Sequence, residues 1–235
     1  PDFRVLDLTK STFNDASTSY FHKYIGGYHG AKLQRYQDLI ENNIDGEMKE
    51  IIGGLSSKTA FNDINRILNQ QQVLNMLNTK YIIYNPGAAP LLNNSSFGNA
   101  WFVTDFKIVE NADEEIAALK TNNLKTTAII DKKFEGDFSK EFNYDSNAKI
   151  NLKLYEPNKL QYTFNASTEQ MVVFSEIYYS KGWKAFIDGK ENKYFRANYL
   201  LRAMTIPAGT HEIEFRFEPI VWVVGERVSL VSSSV

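Results

Sequence analysis

At 235 residues the chain has room for one large domain or two small ones, and a formal charge of −2 without any long basic run excludes nucleic acid as its main partner. Hydrophobic and charged shares of 43% and 23% are those of globular proteins, which excludes wholesale disorder. The absence of cysteine excludes disulfides, thiolate metal sites and cysteine nucleophiles together.

Residues 3–8 read as a short strand, and 10–19 as a polar, turn-like stretch. Tyr24-Ile25-Gly26-Gly27-Tyr28-His29-Gly30 is a glycine-bearing loop. A helix is predicted over 31–43, with Leu33, Tyr36, Gln37 and Ile40 at helical spacing. Gly53-Gly54 and Ser56-Ser57 mark a flexible connection. Asp63 then reads as the N-cap of a helix reaching residue 78, whose stripe is Ile64, Ile67, Leu68, Leu74 and Leu77. Residues 81–84 form a buried-strand candidate stopped by Asn85-Pro86-Gly87, and a loop rich in Asn, Ser and Pro follows.

Residues 101–109 read as one strand. Asn111 caps a helix, with Glu114 at the third position completing a capping box. A strand over 126–131 makes this stretch β-α-β, and no glycine fingerprint joins strand to helix as a nucleotide site requires.

From residue 149 the period becomes two. Strands are predicted over 150–154, 160–166, 171–179, 183–187, 190–195, 199–206 and 211–218, with Asp188-Gly189 and Pro207-Ala208-Gly209-Thr210 as turns. In the last strand Ile213, Phe215 and Phe217 are expected to face in, and Glu212, Glu214, Arg216 and Glu218 out. The fold class is therefore α+β. A mixed α/β region over 1–145 is followed by an antiparallel, jelly-roll-like β-sandwich over 146–219, on which strands of the first region can pack. Residues 220–235 begin with Ile220-Val221-Trp222-Val223-Val224 and read as the start of a truncated transmembrane helix, interrupted by Glu226 and Arg227. That ending, and a start at Pro1-Asp2-Phe3-Arg4 without Met, are what a piece of a longer chain would show.

Chemistry-bearing motifs are sparse. His22, His29 and His211 have no zinc spacing, so no metal is expected. Asp188 reads as a turn residue, and no nucleophile elbow, zincin or phosphate-loop motif occurs. Asn94-Ser95-Ser96 and Asn165-Ala166-Ser167 fit an N-glycosylation pattern that is common by chance. No cofactor is implied. His29, Lys32 and Tyr36 would share one face of the predicted helix and could hold an anion such as phosphate, against the default that Tyr36 packs and Lys32 is solvated. Trp183 with Arg196, Asn198 and Tyr199 sets polar groups beside aromatic ones, as sugar recognition requires, against the default of structural roles.

Several segments together resemble the extracytoplasmic C-terminal region of YfhO-like bacterial membrane proteins. They are Gly26-Gly27-Tyr28-His29-Gly30-Ala31-Lys32, Arg35-Tyr36-Gln37, Leu74-Asn75-Met76-Leu77-Asn78-Thr79-Lys80-Tyr81-Ile82-Ile83 and Gly98-Asn99-Ala100-Trp101-Phe102-Val103. Further along, Gly182-Trp183-Lys184-Ala185-Phe186-Ile187-Asp188-Gly189, Arg196-Ala197-Asn198-Tyr199 and Ile206-Pro207-Ala208-Gly209 fit as well. That family resembles polytopic glycosyltransferases that use lipid-phosphate-linked sugars, with the catalytic acid near the N-terminus of the full protein. The resemblance thus implies no catalytic residue here. It implies an accessory module on the extracytoplasmic side of a bacterial cell membrane, with an envelope glycan or lipid-linked sugar as partner and flanking helices as membrane contact. The alternative is a structural or interaction domain for envelope assembly.

Overall fold

Strands whose apolar residues alternate need one covered face, and strands that are apolar throughout need two. The computed structural model describes residues 2–56, 63–139 and 143–219, so the membrane-helix start expected over 220–235 lies outside the described residues, as does Ser57.

The chain opens on β1 (Arg4–Asp7). Helix α1 (Gln34–Leu39) starts later than residue 31 because Leu33 holds the N-cap with extended backbone and no side-chain cap. The helix then widens into a π-turn (Ile40–Ile44) and continues as α2 (Asp45–Ser56). Gly53 and Gly54, expected in a flexible connection, are therefore helical. Gly54 serves packing: a Cβ there would lie 2.4 Å from Ile67 Cδ1.

The helix expected over 63–78 is two, α3 (Ile64–Gln70) and α4 (Gln72–Met76), broken where Gln71 adopts φ −81 and ψ 76. Nothing local breaks it. The Glu47 carboxylate on α2 accepts the backbone N–H groups of Val73 and Leu74, both at 2.8 Å, and so caps α4 from another helix. Asp63 makes no side-chain cap.

Strand β2 (Thr79–Ile83) pairs in parallel with β1, and β3 (Leu91–Leu92) adds an antiparallel edge. The single strand expected over 101–109 is two, β4 (Ala100–Val103) and β5 (Asp105–Val109), which join different sheets. Helix α5 (Ala112–Ala118) carries the expected capping box: Asn111 Oδ1 accepts from Glu114 N at 2.9 Å. It crosses over to β6 (Thr127–Asp131), which lies parallel to β5, so the β-α-β unit stands.

The β-rich part follows as β7 (Lys149–Glu156), β8 (Lys159–Ala166), β9 (Gln170–Ile177), β10 (Trp183–Ile187), β11 (Lys190–Asn192), β12 (Phe195–Ala197), β13 (Leu201–Ile206) and β14 (Gly209–Phe217). Asp188 and Gly189 both take positive φ, as a tight hairpin turn demands. The run expected over 190–195 splits after Asn192, its two pieces entering opposite sheets.

One sheet has the order β11-β10-β14-β8-β7, the other β12-β13-β9-β4. Tyr162, Phe164, Phe174, Met204, Ile213 and Phe215 fill the space between them. The far face of the four-stranded sheet, with Trp101, Val103, Val173, Phe195 and Ala203, packs on the helices in a second core. This sheet is a middle layer, which is why Met171-Val172-Val173-Phe174 is apolar without interruption. Phe217 departs from the inward pattern. It is partly exposed and rests on Trp183, its ring centroid 5.4 Å away.

Burial pushes the Glu47 carboxyl from the ordinary 4.5 up to about 7, against the pull of the two backbone donors. The folded state thus holds a proton that the unfolded chain releases, so stability from this group is full below pH 4.5 and is lost as pH rises towards 7. Urea unfolding of the native chain should show a larger fall in stability between pH 5 and 7 than Glu47→Gln shows. Equal falls would refute a buried, proton-holding Glu47.

Candidate ligand cleft

Backbone pairing brings the glycine-bearing loop onto β1. Val5 N donates to Lys23 O at 2.9 Å and Ile25 N to Val5 O at 3.0 Å, so the 23–25 segment lies along the free edge of β1. At Gly26 a Cβ would sit 1.8 Å from the Thr12 carbonyl oxygen, and Gly27 holds φ +106 while its N–H donates to that same oxygen. Only a Gly-Gly pair passes this point.

Beyond it the chain lines a cleft of about 400 Å³ formed by Arg4, Tyr24, Tyr28, His29, Lys32, Tyr36 and neighbours that include Ile177 at the end of β9. His29 and Lys32 precede α1, so the helix face that the spacing predicts for them with Tyr36 does not form. The loop's return brings all three together instead. His29 Nδ1 accepts from Ala31 N at 3.1 Å, which fixes the ring against its own turn. Lys32 Nζ stands 5.5 Å over the Phe13 ring and forms part of the wall. Tyr36 Oη donates to Ile25 O at 2.5 Å, and Tyr24 Oη to Asp7 O at 3.2 Å. Burial raises both phenols to about 12, so both remain neutral donors.

Arg4 lines the cleft with its guanidinium tied to backbone carbonyls. Arg4 Nη1 donates to the carbonyls of Leu77 and Ser175, each at 2.7 Å. Its other terminal nitrogen lies 4.0 Å from Glu176, which also pairs with Lys23 at 2.7 Å. Burial alone would raise Glu176; Arg4, Lys23 and Arg202 outweigh it and hold the carboxyl below its ordinary range. Burial and the Arg4 charge bring Lys23 down to about 8, against the pull of Glu176. Arg4 and Ile177 carried no motif signal; only the fold places them here.

The second predicted cluster separates. Arg196 donates to Glu115 at 3.0 Å and to Asp131 at 3.1 Å, with its guanidinium 5.1 Å over Phe134. Asn198 is wholly buried; its N–H donates to Ile129 O at 2.7 Å and its Oδ1 accepts Ile129 N at 2.9 Å. Tyr199 N donates to Glu115 at 3.0 Å and Tyr199 Oη to Asp38 at 2.8 Å, while Arg35 stacks 4.3 Å over the ring. Arg196 and Tyr199 join the middle sheet to α1, α5 and β6, and Asn198 joins it to β6, while Arg196 Nε and Asn198 Nδ2 stay buried without a hydrogen bond among the described residues. Trp183 belongs to the other sheet, under Arg202 at 4.1 Å. Burial raises the Glu115 carboxyl despite Arg196 and Arg35.

A larger groove, about 720 Å³, lies at the other end of the sandwich by the Asp188-Gly189 turn. Two charge pairs are made within it, His211 with Asp188 at 2.6 Å and Lys193 with Asp137 at 3.1 Å, and Glu169, Lys190 and Glu191 also line it. The cleft at Tyr28 keeps Lys32 and three phenol rings around open volume, the aromatic and basic lining that makes it the candidate ligand site.

The fold defines an α+β module whose sandwich shares its middle sheet with an α/β layer. Residues 120–229 match the family described as "Bacterial membrane protein YfhO". "Uncharacterized protein YfhO" of Bacillus subtilis (strain 168) is 30% identical over 78 residues, which are 33% of this chain and 9% of that protein, so this chain matches a small part of its length. The chain is YfhO-like over its second half: the residues that build most of the sandwich are similar to a family of bacterial membrane proteins. The loop and helix that bear Tyr28, His29, Lys32 and Tyr36 lie outside the family match. No solved structure matches the chain. Among the described residues no helix is long and apolar enough to cross a membrane.

Gly26→Ala should destabilise the chain by about 3 kcal/mol through overpacking against Thr12, whereas Gly30→Ala, with nothing within 4 Å of its Cβ position, should stay within about 0.5 kcal/mol of the native chain. Denaturant midpoints check both. Glu115→Ala, which leaves Arg196 with Asp131 alone and takes the acceptor from Tyr199 N, should lose about 3 kcal/mol. A loss below about 1 kcal/mol would mean that the pair contributes no more than a surface one.

Proposed function

We propose that this chain is an extracytoplasmic accessory module of a membrane protein similar to lipid-phosphate-sugar-dependent glycosyltransferases, and that it helps to hold an acceptor glycan or lipid-linked sugar. The observation that carries this reading is the convergence of Tyr24, Tyr28, Tyr36, His29 and Lys32 on one cleft beside the Arg4 floor. Aromatic faces suit the apolar faces of sugar rings, phenol hydroxyls and the imidazole suit their hydroxyl groups, and a lysine suits a phosphate or uronate. Tyr28 is 69% exposed, so its ring is available to a ligand rather than to the core. No group in the cleft is arranged as a nucleophile with its base, which favours recognition over catalysis.

Nuclear magnetic resonance titration of the isotope-labelled chain with envelope oligosaccharides and short-chain polyprenyl-phosphate sugars tests this. Shifts should concentrate at Tyr28, His29 and Lys32. Lys32→Gln and Tyr28→Ala should weaken binding at least about tenfold, equivalent to about 1.4 kcal/mol, with unfolding midpoints unchanged. No shift with any ligand of the panel would leave the structural, assembly role as the better reading.

A further inference from the structure

Large apolar side chains that a fold leaves in water mark contact surfaces when they are grouped. Nine stand out among the described residues, and six of them, Tyr20, Phe21, Tyr28, Leu33, Tyr179 and Phe217, belong to the cleft's surroundings and one end of the sandwich. Tyr20 and Phe21 are 84% and 79% exposed and follow Ser19, which lines the cleft opposite Ile177. Tyr179 comes two residues after Ile177, and its carbonyl accepts from Tyr194 Oη at 3.2 Å. The same hydroxyl lies 3.2 Å from Trp183 O, and Trp183 stacks on Phe217. The exposed rings thus gather around the cleft and the end of the sandwich at which β9 and β14 finish.

The strand directions fix which end this is. Strands β7, β9 and β14 finish here, and β8, β10 and β13 start here. After Pro219 the sequence turns to Ile220-Val221-Trp222-Val223-Val224. Two lysines lie at this end, each beside a carboxylate: Lys23, 4.2 Å over the Tyr155 ring and 2.7 Å from Glu176, and the partly exposed Lys184, 3.5 Å from Glu218. Tyrosines and tryptophans interleaved with long basic side chains are what a protein presents to the headgroup layer, where a ring is half wet and an ammonium can reach phosphate. The opposite end is polar, with Glu169, Asp188, Lys190, Glu191 and Lys193 around its groove.

We propose that the rim of Tyr20, Phe21, Tyr28, Tyr179 and Phe217 seats in the headgroup layer of a lipid bilayer, with the Asp188-Gly189 turn pointing away from it. This contact belongs to the described residues themselves and does not depend on a ligand in the cleft. It opens the cleft beside the membrane surface, where a lipid-borne headgroup would be presented.

The absence of cysteine makes the test direct. Tyr20→Cys, Phe21→Cys and Tyr179→Cys, all at exposed positions that do not line the cleft, and Glu191→Cys at the far turn are each labelled with a polarity-sensitive fluorophore. The labelled 235-residue chains are then mixed with vesicles of phosphatidylethanolamine and phosphatidylglycerol, without glycan. Labels at 20, 21 and 179 should shift to the blue and be shielded from an aqueous quencher by a factor of about three or more, as sites removed from water are, while the label at 191 stays as in buffer. The proposal is overturned if the chain does not associate with vesicles, if it associates and the three rim labels remain in water, or if position 191 shifts equally. Because the vesicles carry no sugar, failure here leaves the glycan titration untouched, and the reverse holds too.

Discussion

The middle sheet, β12-β13-β9-β4, is covered on both faces, and the rest of the structure is arranged around that constraint. A strand with two buried faces has no solvent side on which to place polar residues, so its side chains are apolar except where a polar group such as Ser175 or Arg196 meets a partner inside. Strand β4 comes from the first part of the chain and completes this sheet beside β9. The helices and the small parallel sheets then cover one face, and the five-stranded sheet covers the other. Neither the sandwich nor the α/β layer could bury its apolar surface without the sheet they share.

Charges taken inside hold the layers in register. Arg196 and Tyr199 on the middle sheet meet Glu115 of α5, and Arg35 of α1 reaches the same carboxylate at 3.3 Å. At the other end Arg4 and Lys23 meet Glu176, and Arg202 lies between Trp183 and Phe215. Such groups are costly to desolvate, and their benefit is in specifying one arrangement rather than in raw stability. Their engagement also sorts the polar clusters. Arg196 and Asn198 have their partners inside, whereas Lys32 and Tyr28 face open volume. The cleft is therefore the place where aromatic and basic groups remain available.

The position of that cleft follows from backbone geometry more than from side-chain chemistry. A Gly-Gly pair lets residues 23–27 run along β1 and past Thr12, and the return of the chain into α1 closes the second wall. The same course leaves Tyr20 and Phe21 outside any core, near the strand ends from which the chain proceeds to residue 220. The cleft and the exposed Tyr179 and Phe217 thus lie toward the end of the sandwich where β9 and β14 finish, while the charged hairpin occupies the other.

By itself the sequence determined the local elements whose causes are local. The capping box at Asn111 and Glu114, the β-α-β alternation, the Asp188-Gly189 turn and most of the period-two strands of the sandwich stand as read, because each depends on residues a few positions apart. It also singled out His29, Lys32 and Tyr36, although on a helix face that does not exist. Tertiary structure decided what depends on distant partners. Glu47 breaks the helix at Gln71 from another helix. Competing pairings with β9 and β6 divide residues 100–109 between two sheets. Buried carboxylates claim Arg196, and Arg4 and Ile177 reach the cleft from strands more than 170 positions apart. None of these has a periodic or local signature, since the deciding atom in each belongs to a residue that only folding brings near.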